Sequence, residues 1–169
     1  MSGLHDDVRA QMVEILPRLR RFGYTLTNSK EEADDLTQAT LEKALRHIDQ
    51  WQMDTRLDSW MFRIAKNIWI DQIRSMKSRG EQIDFDSVAE INGEDGDKVT
   101  ESQLMLEKTH AAVAELPEEQ RSVIALISVE GLSYREAADV LEIPVGTVMS
   151  RLARARKVLA EKLLSHSVS

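Results

Sequence analysis

Apolar positions along this chain recur mainly at the three- and four-residue spacing of a helix face. From Leu4 to Phe22 the pattern is helical, with Pro17 expected to kink or restart the helix. In "NSKEEADDLTQATLEKALRHI", Ser29 and Glu32 fit a capping box, and the acidic first turn suits a helix N-terminus. Ala33, Leu36, Thr40, Leu41, Ala44, Leu45 and Ile48 then mark its inner face. "RLDSWMFRIAKNIWIDQIRSMKSR" predicts a long helix begun by Asp58 or Ser59. Together these segments describe an N-terminal bundle of three or four helices.

The periodicity then lapses. Ser78 to Ser102, "SRGEQIDFDSVAEINGEDGDKVTES", is interrupted by Gly80, Asn92, Gly93 and Gly96. It reads as a flexible acidic linker, set at 81–100, between a domain over 1–80 and another over 101–169. In the second half "ESQLMLEKTHAAVAEL" predicts a helix stopped at Pro117, and "PEEQRSVIALISVE" another ended by Gly131. Ser133 and Glu136 form a second capping box at the start of "YREAADVL". "EIP" makes a turn into the last helix, "VGTVMSRLARARKVLAEKLL". Four helices closing on a helix-turn-helix follow, so the expected fold is all-α, with two small helical domains.

Composition narrows the class. The chain has 169 residues, 42% hydrophobic and 30% charged, with eight aromatics and three prolines, a mix that favours helices over a sandwich or barrel. It has no cysteine, which removes disulfides and thiolate metal sites. His5, His47, His110 and His166 lack metal-ligand spacing, and no glycine-rich phosphate loop is present. The acidic "EEADD" is accounted for by its place in a first helical turn. An enzyme is not expected, nor any metal, cofactor or small-molecule substrate. The opening "MSGLHDDVRA" lacks the apolar core of a signal peptide, and no apolar run could cross a bilayer. A cytoplasmic protein without membrane insertion is therefore expected. The net charge of −7 is unevenly spread. Residues 1–80 carry 13 basic and 12 acidic side chains, 81–107 carry 1 and 9, and 108–169 carry 8 and 8. The acidity is thus concentrated in the middle segment, and the overall charge does not argue against a nucleic-acid partner.

Two helices carry candidate chemistry. With about 100° per residue, Val145, Val148, Leu152, Ala155 and Leu159 of the last helix fall in a stripe about 80° wide that should face the core. Thr147, Ser150, Arg151 and Arg154 fall on the far side, the face that a helix-turn-helix presents to the major groove. Ser150 and Arg154 are the candidate base readers, and Arg151, Arg156 and Lys157 the candidate phosphate contacts. In the helix that starts near Trp60, Arg63, Lys66, Asn67, Arg74 and Lys77 share the sector left by a broad apolar arc. Trp51 stands in the polar loop just before it. An aromatic beside a basic groove is what stacking of single-stranded bases requires, although Trp51 also fits a residue closing the rim of the bundle.

The stretches "ADDLTQATLEKALRH", "DSWMFRIAKNIWIDQIRS" and "LPEEQRSVIALISVEGLSYREAADVLEIPVGTVMSRLARAR" resemble the extracytoplasmic-function (ECF) sigma factors of the sigma-70 family, which retain only regions 2 and 4. The resemblance covers nearly the whole chain, in the family's order and spacing. It implies that 1–80 binds the β′ clamp helices of core RNA polymerase and reads and melts the −10 element. It implies that 101–169 reads the −35 element and contacts the β flap. Asp35 and Gln38, with Glu42 and Arg46 further along the same face, match the helix that docks on polymerase. Trp51 and Asn67 match positions that hold a flipped non-template base, which agrees with the basic stripe found without the family. Met149 stands in the recognition helix where several relatives carry a basic residue, and Ala153 where some carry an aromatic. Control by an anti-sigma factor is also implied. The same helix-turn-helix would fit a stand-alone regulator with an N-terminal sensor or dimerisation bundle, but Asp35, Gln38 and the Asn67 stripe would then have no role.

Overall fold

Seven α-helices make up most of the described residues of the computed structural model, which are 2–80 and 100–167. Helix α1 spans Ser2–Thr27, α2 Lys30–Arg46 and α3 Leu57–Ser78, with a 3-10 turn, Ile48–Gln50, leading from α2 towards α3. Helix α4 spans Glu101–Ala114 and α5 Glu118–Val123, which runs on into a π-helical segment, Ile124–Val129. Helices α6, Tyr134–Leu141, and α7, Val145–Ser167, complete the chain. No strand occurs among the described residues, as the all-α expectation requires. The expected linker, Thr100 apart, lies outside the described residues.

Local chemistry sets the boundaries, sometimes differently from the sequence pattern. Pro17 neither breaks nor restarts α1, which is one helix throughout. Pro17 lies on the exposed side, as does Val13 one turn earlier, so water can satisfy the carbonyl that loses its N–H partner. The α1–α2 turn passes through Asn28 at φ 55°, a left-handed position that Asn tolerates. Ser29 Oγ accepts the Glu32 N–H at 3.2 Å, but the Ser29 N–H donates to Thr27 Oγ1, so only half of the expected capping box forms. Gly23 lets α1 and α2 approach closely: a Cβ there would lie 3.2 Å from Cα of Ala33. Helix α3 starts at Leu57 after Arg56, without a side-chain cap. Asp58, an expected starter, is instead buried in ion pairs. The Ser133–Glu136 box caps α6 as expected, and a Thr100–Gln103 box caps α4.

Burial follows the helical periods. Phe22 of α1 meets Phe62 of α3 edge-on, ring centroids 5.1 Å apart, and both are fully buried. Burying each such ring stabilises the fold by about 1.5–3 kcal/mol. Ala33, Leu36, Thr37, Thr40 and Ala44 turn α2 inward, while Leu45, expected inside, is 37% exposed. Apolar packing continues from these helices into Leu116, Val123, Leu126, Val140, Val148 and Leu152 of the C-terminal group. The two halves pack directly, α1 against α4, α5 and the π segment, and α3 against α6.

Candidate nucleic-acid interface

Helices α6 and α7 form the helix-turn-helix. Glu142 closes α6 in the left-handed conformation at φ 57°, and the Ile143 N–H returns to the Ala138 carbonyl at 3.1 Å. The N–H groups of Thr147 and Val148 then bond the Pro144 carbonyl, starting α7 at once. Val148, Leu152 and Ala155 are buried as the wheel predicts. Val145 is 37% exposed and Leu159 only partly buried, because the ends of the stripe run past the core. On the outer side Met149, Ser150, Arg154, Arg156 and Lys157 are exposed. Thr147 is half-buried, and its carbonyl accepts from Ser150 Oγ at 3.1 Å. Arg151 is also half-buried, 3.9 Å from Glu119, and is thus drawn towards α5.

The stripe on α3 is divided. Arg74 and Lys77 are exposed and Asn67 is half-buried. Arg63 donates through Nη2 to the Asp139 carbonyl of α6 at 2.9 Å. Lys66 is only 6% exposed and lines a cleft of about 120 Å³ with Arg74, Glu118, Ser122 and Arg151. Burial holds its amine below the ordinary lysine pKa. Trp51 follows the 3-10 turn, its N–H on the Ile48 carbonyl at 3.3 Å. Its ring is half-buried against the core, and its indole N–H has no partner among the described residues.

Helix α2 offers a third surface. Asp35, Gln38, Glu42 and Arg46 are all exposed, three or four residues apart, on the face opposite its buried one.

Sequence reasoning missed the polar groups that join the halves. The Glu130 side chain has no exposure and is gripped by Arg21, with bonds of 2.9 and 2.7 Å, while Arg18 approaches to 3.8 Å. Arg18 also bonds Asp58 at 2.9 Å, and Arg56 pairs with both Asp58 and Glu136. Burial pulls the Asp58 pKa upward, but hydrogen bonds from Arg56, Arg18 and the Ser59 N–H outweigh it and hold the carboxyl below its ordinary value. Arg121, buried in α5, donates to the Leu26 carbonyl at 2.7 Å and lies over the Trp69 ring at 5.5 Å. A carboxylate closing the apolar run "VIALISV" was the available signal for Glu130; its partners, more than 100 positions away, had none.

Residues 12–79 match Sigma-70 region 2, and residues 106–159 match Sigma-70, region 4. The ECF RNA polymerase sigma factor EcfG of Rhodopseudomonas palustris is 33% identical over 160 residues, covering 95% of this chain and 87% of that protein. SigW of Bacillus subtilis, another ECF sigma factor, is 30% identical over 173 residues, covering 93% and 89%. The sigma factor RpoE from Bartonella quintana, solved in complex with the anti-sigma factor NepR, is 34% identical with a TM-score of 0.78. That comparison covers 93% of this chain and 96% of RpoE. The chain belongs to the sigma-70 family and, within it, to the ECF sigma factors. Members of this class are transcription initiation factors that direct RNA polymerase to promoters. No described helix is long and apolar enough to cross a membrane.

Proposed function

We propose that this sigma factor docks on the β′ clamp helices of core RNA polymerase through Asp35, Gln38, Glu42 and Arg46. Its domain over 1–80 reads and melts the −10 element. Trp51 and Asn67 hold an unstacked non-template base, and Arg63, Lys66, Arg74 and Lys77 follow the strand. Capturing the base offsets the cost of opening, a few kcal/mol, so melting is selected by binding rather than by covalent chemistry. The domain over 101–169 contacts the β flap and sets α7 in the major groove of the −35 element. There Ser150 and Arg154 read base edges beside Thr147 and Met149, and Arg151 and Lys157 hold phosphates. Factor and promoter meet in the cytoplasm.

One observation carries this reading. The exposed face of α2 and the exposed Ser150–Arg154 face of α7 stand in one chain, in the order of the two matched sigma regions. The anti-sigma partner of the Bartonella quintana relative supports control of this chain by a protein of that kind. Transcription in vitro with core RNA polymerase over a supercoiled genomic library tests the whole. Transcripts starting downstream of one shared two-part motif, only when this chain is added, are the expected result. Absence of core binding, with dimers on palindromic duplex sites, would return the chain to the stand-alone regulators.

A further inference from the structure

Lys66 is a buried lysine whose ammonium lacks a partner. It is only 6% exposed, yet no hydrogen bond or ion pair holds it among the described residues. Glu142 and Asp71 favour its charge only through space, and the nearby cations Arg63 and Arg74 oppose them. Taking a charge out of water without a partner is costly, so a buried ammonium calls for a counter-ion.

The cleft that Lys66 lines gathers further polar groups from α3, α5 and α7. Arg74 follows about two turns later on α3. Arg151 of α7 lies 3.9 Å from Glu119, too far for a hydrogen bond, and so keeps donors to offer. The Ser122 hydroxyl is already spent on the Glu118 carbonyl, at 2.9 Å. One side-chain carboxylate oxygen of Glu118 is buried and has no donor among the described residues. The lining therefore holds an ammonium that needs an acceptor and a carboxylate oxygen that needs a donor. Leaving either group unmet is unfavourable. A volume of about 120 Å³ is well below the roughly 300–1,000 Å³ of pockets that take organic ligands, so a small ion suits it. An anion that carries its own proton meets both needs at once. Inorganic phosphate keeps such a proton near neutral pH, and sulfate does not.

We propose that this cleft binds a small protonated phosphate: Lys66 and Arg151 meet its anionic oxygens, Arg74 adds positive charge, and Glu118 accepts from its hydroxyl. The site concerns the free chain and does not rest on the promoter reading. Nuclear magnetic resonance of the isotope-labelled full chain tests it, with sodium phosphate titrated at constant ionic strength. The Lys66 side-chain methylene next to the ammonium and the Ser122 amide should shift together and saturate. Half-saturation is expected at about 1 mM, the scale of a small ion held by a few charge-assisted bonds. Sulfate, which offers Glu118 no proton, should bind about tenfold more weakly. Dimethyl phosphate, which has the diester linkage of a nucleic-acid backbone and no proton, should behave like sulfate. Lys66→Met removes the ammonium and its need for a counter-ion, and should abolish saturation. Arg151→Gln, at a half-buried position outside the core, should weaken binding as well, and circular dichroism checks that both variants stay helical. Shifts that drift without saturating, or that saturate equally in the parent and Lys66→Met, overturn the site. Sulfate binding as tightly as phosphate overturns the role of the proton and of Glu118. Dimethyl phosphate binding as tightly as phosphate hands the cleft to backbone phosphates and overturns the free-phosphate assignment.

Discussion

Arg121 of α5 donates through Nη1 to the carbonyl of Leu26 near the end of α1, 95 positions away and 2.7 Å distant. Its Nη2 donates to the Leu116 carbonyl at 2.8 Å, and the residue is only 5% exposed. One guanidinium therefore satisfies acceptors from both halves of the chain, and burial holds its pKa below the usual arginine value.

Arg121→Met keeps an unbranched apolar stem, ends two atoms short of the guanidinium nitrogens, and leaves two carbonyls without a charged donor. Its cost should be about 1–3 kcal/mol, the penalty of unmet buried groups. Urea unfolding followed by circular dichroism measures it, and a midpoint equal to the parent's would show that water replaces the guanidinium freely.

Asn67 is half-buried on α3, and Trp51 is half-buried in the loop before it. Asn67→Ala and Trp51→Ala should impair open-complex formation, seen as lost permanganate reactivity at the −10 element, while core polymerase binding stays at the parent level. Equal loss of polymerase binding in both variants would sink their role as base holders. Asn67→Ala is the cleaner of the two, since Trp51 also packs against the core.

Arg154 and Lys157 are both exposed on α7 but are assigned different work. Arg154→Ala should weaken duplex −35 binding by about 1–3 kcal/mol and relax preference at one base pair. Lys157→Ala should weaken all sequences alike and reduce the salt slope by about one. Competition binding against single-base variants separates them, and an unchanged preference in Arg154→Ala would reassign that residue to the backbone.

His110 of α4 meets the ring of Tyr24 of α1 at a tilt of 59°, ring centroids 4.8 Å apart, and burial lowers its pKa from the ordinary 6.5. The folded form therefore binds this proton less readily than the unfolded chain. The neutral ring's contribution to stability is fully present above about pH 6.5 and is lost as pH falls through the lower folded-state value. Thermal unfolding should shift to lower temperature between about pH 7.5 and 5.5, and His110→Gln should flatten that dependence. Identical slopes in parent and variant would remove His110 as the cause.

The division between what was legible and what was not follows the range of the interactions. Most helix locations, the Ser133–Glu136 cap, the inner residues Val148, Leu152 and Ala155 of α7, and the inner residues Ala33, Leu36, Thr40 and Ala44 of α2 could be read in advance. Each depends on periodicity or on partners within one or two turns, and that information is contiguous in the chain. Boundaries were less secure wherever two local partners compete, as when Thr27 rather than Glu32 takes the Ser29 N–H.

Tertiary structure alone decided how the halves meet. It drew Asp58 from a helix start into pairs with Arg18 and Arg56, and covered Lys66, which periodicity had placed in an open stripe. It also brought Arg21 onto Glu130 across 109 positions. A helical wheel finds which residues share a face, but the exposure of that face is set by whatever packs on it. For α3 the covering element is α6, some 70 residues further along the chain.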